Sequence, residues 1–295
     1  LVENGNIDLD TPLESYLPKK IYEYDPKTRW HDNYLDLKND SLYHKITARM
    51  CLAHTSGFPN WRFFEADKKL RVKQEPGTSY LYSGEGMVYL QIIIEKITGE
   101  NFEDLAQRIV FQPLQMKNSS YQWQPEFENN YAYGHNSEEK GYKKDKDNEP
   151  RAPSTLETTL EDYNKFLIAV MNRDLLQEKS WNEIFTPQIR IRSKRQFGPL
   201  AKEITSENDD IQLSYGLGWG MFQTPYGWAV FKEGYGSGFQ HHSVLFPETG
   251  KGVLIMTNSD IGGGIFKELL ELAMKDLYTP WEWENYIPYD MTRIN

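Results

Sequence analysis

The chain has 295 residues, with 33 Lys and Arg against 43 Asp and Glu, for a formal net charge of −10. That acidic balance argues against a nucleic-acid footprint and against binding to anionic membranes, which leaves small molecules, peptides or neutral polymers as partners. Cys51 is the single cysteine, so no intrachain disulfide and no cysteine metal cluster can form; between Met50 and Leu52 it reads as core.

No apolar run approaches the roughly 20 residues that a membrane-spanning helix needs, and Leu1-Val2-Glu3-Asn4 does not read as a signal peptide. Residues 7–18 open abruptly on an Asp10-Thr11-Pro12 helix start, with no strand before it and no initiator methionine. This start reads as the middle of a fold. Residues 19–45 are polar and aromatic without sustained period, hence an excursion. A helical pattern resumes over 46–52 and ends in the turn His54-Thr55-Ser56-Gly57. The Pro76-Gly77 turn then feeds an aromatic run ending in Tyr82-Ser83-Gly84. From Gly86, the apolar residues Val88, Leu90, Ile92, Ile93, Ile94 and Ile97 predict a buried helix closed by Gly99.

Residues 102–114 predict another helix, stopped near Pro113, and 136–150 a charged exposed loop. Thr158-Thr159-Leu160-Glu161-Asp162 is a capping signal for an amphipathic helix over 163–171. Residues 188–212 read as a mobile connection. Beyond them the texture changes to short strand-like runs at 215–220, 228–231, 240–246 and 252–257. The turns at Pro225-Tyr226-Gly227 and Pro247-Glu248-Thr249-Gly250 make them an antiparallel meander. Residues 264–277 read as a closing helix and 281–295 as a tail. Helices first and antiparallel strands later predict an α+β fold, taken as one domain with a mainly helical part (1–212) and a sheet part (213–280).

Two side chains carry the chemistry. A phenol normally keeps its proton at neutral pH, since its ordinary value is about 10, but cationic neighbours favour the phenolate and make it a base. Tyr82, at a loop-helix junction, is such a candidate, against the bland reading of an aromatic at a helix start. Lys232, before Glu233 and Gly234, is the candidate cation, against the bland reading of an exposed strand lysine. Three other signals are set aside. Ser137-Glu138-Glu139-Lys140 matches Ser-x-x-Lys literally but sits in the charged loop. His54 and Ser56, two apart in a turn, do not align for proton transfer. His241 and His242 are adjacent on a strand, point to opposite faces and cannot chelate together. The glycines 234, 236 and 238 lack the spacing and the following helix of a dinucleotide loop, so no cofactor or metal is expected.

In this order, His54-Thr55-Ser56-Gly57-Phe58-Pro59, the run from Glu75-Pro76-Gly77 to Tyr82-Ser83-Gly84, and Lys232-Glu233-Gly234 with Gly238-Phe239 resemble the serine β-lactamase and penicillin-binding-protein superfamily, in its class C-like branch of esterases and peptidases. The resemblance covers nearly the whole chain. It implies an antiparallel sheet flanked by helices plus a helical subdomain, and a serine hydrolase working through an acyl-enzyme on esters, D-amino-acid peptides or β-lactams, in the periplasm or outside the cell. In it Tyr82 is the base, Lys232 supplies positive potential to the phenol and to a substrate carboxylate, Gly234 lets substrate lie against the strand, and the Tyr235 N–H is one half of an oxyanion hole. The family's nucleophile, Ser-x-x-Lys opening a helix, and two preceding strands are expected upstream of Leu1, so these residues alone are expected to be inert. The alternative is a non-catalytic binding or scaffold protein on the same fold. Gly84 stands where the family usually has an asparagine whose amide contacts substrate, which tilts the reading towards an esterase or peptidase.

Overall fold

The sheet grows out of its turns. In a computed structural model, described for residues 1–146 and 148–292, β3 (Gly220–Thr224) pairs antiparallel with β4 (Gly227–Gly236) from Gly220↔Phe231 to Thr224↔Gly227, leaving Pro225 and Tyr226 as the two-residue turn. β5 (Phe239–Phe246) returns along β4. After a 3₁₀ turn over Pro247–Thr249, β6 (Lys251–Thr257) returns along β5. Two short strands, β1 (Ile189–Arg190) and β2 (Ser214–Tyr215), extend the other side, giving one antiparallel sheet in the order β1-β2-β3-β4-β5-β6. The run 215–220, expected as one strand, is split by a turn at Gly216–Trp219, where the Gly216 N–H donates to the Trp219 carbonyl at 2.8 Å.

Helix starts follow their caps. The Thr47 side chain accepts from the Met50 N–H and opens α1 (Ala48–Leu52); Ser83 accepts from the Gly86 N–H and opens α2 (Gly84–Thr98); Thr159 accepts from the Asp162 N–H and opens α4 (Leu160–Asn172). Gly99, with φ of 72°, closes α2 in the left-handed conformation that glycine adopts without strain. The helix expected over 102–114 is instead α3 (Phe102–Ala106) followed by a wider π turn over Gln107–Phe111. α5 (Glu178–Ile184), which periodicity did not reveal, carries the buried Trp181; α6 (Phe266–Met274) and the short α7 (Tyr289–Thr292) follow the sheet.

Strand alternation sorts the core onto two faces. Phe222, Phe231 and Val244 pack with Phe266, Leu270, Trp281 and Trp283 on one face, while Met221, Val230 and Leu245 pack with Leu167, Val170 and Trp181 from α4 and α5 on the other. A third cluster surrounds α2, with Val88, Tyr89 and Ile93 against Leu13, Tyr43 and Phe58.

Two segments depart from their reading. Residues 188–212, read as a mobile connection, make fixed contacts: Arg190 lies 3.2 Å and Arg192 3.5 Å from Asp209 further along the same segment, and Ile191 is buried. The segment read as a tail supplies Trp281 and Trp283 to the sheet core, where Trp283 packs on Phe231 and Tyr80 and donates to Ser193 Oγ at 3.1 Å. Trp283→Ala should therefore lower unfolding free energy by about 3–5 kcal/mol, as removal of a fully buried aromatic side chain does. Urea denaturation measures it, and a loss under about 1 kcal/mol would show a segment that does not belong to the core.

Candidate active site

Two of the three motif pieces are stitched together by backbone hydrogen bonds. The His54 carbonyl accepts from the Leu81 N–H at 2.8 Å, the Thr55 carbonyl from the Gly77 N–H at 2.8 Å, and the Gly57 carbonyl from the Lys73 N–H at 2.8 Å. The Ser83 N–H in turn donates to His54 Nδ1 at 3.1 Å, which places the ring proton on Nε2. His54 thus fixes the backbone on both sides of Tyr82. Its ring lies against the Tyr82 ring, with centroids 4.1 Å apart and planes 31° from parallel, and Phe197 meets the phenol edge-on at 5.3 Å.

The third piece arrives from the sheet. On β4, Val230 and Lys232 share one face, whereas Phe231 and Glu233 share the other. Lys232 Nζ donates to Tyr82 Oη at 3.2 Å across 150 residues of sequence, and sits 5.0 Å from the phenol centroid. Glu233 Oε1 is 3.7 Å from the same ammonium and is held by the Gln196 amide. Burial alone would push Lys232 down, but the Glu233 carboxylate and the Tyr215 and Tyr82 oxygens outweigh it and hold Lys232 well above the ordinary lysine value, so it stays charged. Burial would likewise raise Glu233, yet Lys232 and Gln196 keep it below the usual carboxylate range.

The remaining expected residues are placed as follows. Gly84 opens α2, and Trp61 atoms stand 2.6–2.9 Å from where a Cβ on it would lie. Gly234 pairs with His241, and the nearest atom to an added Cβ is 4.0 Å away, so this side of the strand is open; Tyr235 pairs with Gln240 and is 53% exposed. Among the described residues, the serines placed beside Tyr82 and Lys232 are buried and engaged: Ser243, opposite Lys232 on β5, donates its Oγ–H to the Lys232 carbonyl at 3.1 Å. Ser83 Oγ is buried and spent on the Pro59 carbonyl and the Gly86 N–H, and Ser56 Oγ is buried and accepts from the Phe58 N–H. In the Ser137 loop, Lys140 is exposed and bonded to Glu138. His242 is buried against Trp281, 3.3 Å from Glu284, and among the described residues no group of three or more His, Cys, Asp or Glu converges as a metal site. No helix among them is long and apolar enough to cross a membrane.

Sequence reasoning set His54 aside by asking only whether it could activate Ser56. Its packing partners Tyr80 and Tyr82 lie 26 and 28 residues further along the chain, so nothing beside His54 in the sequence announced that role. Tyr215 and Glu233 were also missed as neighbours of Lys232.

A family model described as Beta-lactamase matches residues 1–275. The chain belongs to the beta-lactamase family. Within that family it is 24% identical over 254 residues to penicillin-binding protein 4* of Bacillus subtilis, an alignment covering 74% of this chain and 52% of the relative. It is 28% identical over 141 residues to the lovastatin esterase of Penicillium rubens, covering 41% of this chain and 35% of the esterase. The chain thus spans about half or less of the length of these curated relatives. Its fold is that of the octameric penicillin-binding protein homologue from Pyrococcus abyssi, with a TM-score of 0.69 and 20% identity, covering 96% of this chain and 64% of the homologue. These beta-lactamase and penicillin-binding relatives make the architecture beta-lactamase/transpeptidase-like.

Burial, reinforced by the Lys232 charge, pushes His54 well below the ordinary imidazole value of about 6.5. In the unfolded chain His54 takes its proton near that value, so protons favour unfolding as pH falls. The stability that His54 contributes is present above about 6.5 and is lost below it. His242, held above the ordinary value by Glu284 against its burial, works in the opposite sense, so the wild-type curve alone does not isolate His54. His54→Asn, which tolerates the positive φ of 54° at this residue, removes only the His54 contribution. The stability advantage of wild type over His54→Asn should shrink as pH drops from about 7 to about 5 in urea titrations. A constant difference would mean that His54 takes up its proton as readily in the folded protein as in the unfolded chain.

Proposed function

We propose that Tyr82 and Lys232 are the general base and its electrostatic partner in a serine hydrolase that forms an acyl-enzyme on esters, D-amino-acid peptides or β-lactams, with esters preferred. The observation that carries this reading is the 3.2 Å contact between Lys232 Nζ and Tyr82 Oη, made by a lysine that stays charged, from two motifs 150 residues apart. In the acylation step the serine oxygen attacks the carbonyl carbon and loses its proton to Tyr82. The Tyr235 N–H and the N–H of the serine itself hold the oxyanion. Tyr82 then returns the proton to the departing alcohol or amine, and water repeats the cycle to release the acid. Gly234 leaves room for substrate beside β4.

The acylated serine and its lysine belong, in this proposal, outside residues 1–295, and the segment by itself is inert. That the serines beside Tyr82 are buried and engaged supports this reading, as does a match spanning only 52% of the first relative. A periplasmic or extracellular location is part of the same proposal. The preference for esters rests on Gly84, which offers no side-chain amide to a substrate amide. The match to a lovastatin esterase agrees with it.

In the longer polypeptide carrying Ser-x-x-Lys, Tyr82→Phe should lower kcat for a p-nitrophenyl ester by at least about a hundredfold, the usual scale for loss of a general base. Circular dichroism should be unchanged, because only a hydroxyl is removed. A well-folded variant with near-normal turnover would take Tyr82 out of the mechanism.

A further inference from the structure

Four aromatic side chains gather in front of α2. Trp61 and Phe63 stack with centroids 5.6 Å apart and planes 10° from parallel, Trp30 meets them edge-on at 5.9 and 5.7 Å, and Phe64 meets Phe63 at 4.8 Å. The residue between the stacked pair explains their direction. Arg62 turns inward, where its Nε and Nη2 donate to the buried Glu85 carboxylate at 2.9 and 2.7 Å and its own N–H donates to the same group at 2.8 Å. With Arg62 committed to the interior, Trp61 and Phe63 are thrown together to the other side, and Phe63 and Phe64 remain 45% and 72% exposed.

This wall is fastened to the start of α2 and hence close in sequence to Tyr82. Asn60 accepts from the Gly84 N–H through Oδ1 at 3.1 Å and from the Glu85 N–H through its carbonyl at 3.0 Å. Trp61 then lies over Gly84 so closely that its Cζ2 and Cη2 stand 2.6 and 2.7 Å from the place a Cβ would take. No side chain fits at residue 84 unless the indole moves. What residue 84 leaves open is covered by the Trp61 indole, a π surface that binds flat apolar groups by dispersion and ring quadrupole. Partly exposed rings of this size, held in fixed relation by a buried ion pair, have little conformational entropy to lose when a ligand covers them.

We propose that Trp61, Phe63 and Trp30 form an aromatic subsite that holds the flat, aryl portion of the ester or amide acted on at Tyr82. The proposal rests on the reading of Tyr82 as the base, but its test does not use catalysis, so the two fail separately. The probe is N-(2-naphthyl)acetamide, a neutral aryl amide, titrated into the 295-residue chain labelled with ¹⁵N at tryptophan. The indole signals of Trp61 and Trp30 should shift saturably, while those of Trp181 and Trp283, buried against the sheet, should not. Trp61→Ala should weaken binding by about tenfold, the worth of one good aromatic contact. Gly84→Asn should weaken it similarly by displacing the indole. Should Gly84→Asn fail to fold, Phe63→Leu on the exposed side of the stack replaces it, again with weaker binding expected. Absence of saturable shifts, equal affinity in Trp61→Ala, or saturation by N-acetylglucosamine in place of the naphthyl probe would each overturn the proposal.

Discussion

The site hangs from the first turn of α2, and that turn is held by the buried bidentate pairing of Arg62 with Glu85. Removing one partner of such a pair leaves an uncompensated buried charge, at a cost of about 3–5 kcal/mol. The pair is therefore a commitment rather than a decoration. It fixes the 60–64 segment against residues 83–86, and Ser83, tied to His54 on one side and capping α2 on the other, carries that rigidity to Tyr82. A phenol placed on a frayed helix start would sample many directions. Here one side of its ring rests on His54, and its edge is met by Phe197.

The second constraint is electrostatic. A partly buried ammonium stays charged where other groups replace the water it has lost, and Lys232 has Glu233 at 3.7 Å and the Tyr82 oxygen at 3.2 Å. Because neighbouring residues on a strand face opposite ways, the lysine reaches the helical half while its partner carboxylate stays on the side of Gln196 and Trp283. The charge that serves the phenol is thus stabilised from behind the sheet. His54, kept neutral by burial and by that same charge, adds packing beside the phenol without adding a second cation.

The meander and the capped helices α2 and α4 were legible in the sequence because each rests on local chemistry, turn residues and capping oxygens, whereas the meeting of Tyr82 and Lys232 was implied only by the family resemblance that the order of the motifs carries. What escaped was set by contacts between distant segments. Residues 188–212 read as a mobile connection, because nothing beside Arg190 and Arg192 shows that Asp209 folds back onto them. Trp281 and Trp283 follow no helical or strand period, so nothing local announced that they complete the core beneath Phe231. Gly84 was read as a lost amide; only the packing shows that Trp61 fills the space, since a glycine's neighbours leave no mark on its own flanks.

The central claim is that Tyr82 and Lys232 serve a serine that these 295 residues do not contain. It is tested most directly by treating the longer polypeptide and the 295-residue chain with a fluorophosphonate and mapping the adduct by mass spectrometry. The account predicts a single phosphonylated serine, at the start of a helix upstream of Leu1, and no adduct on the 295-residue chain. Stoichiometric labelling of Ser56, Ser83 or Ser137, or a longer polypeptide that takes no label, would contradict it.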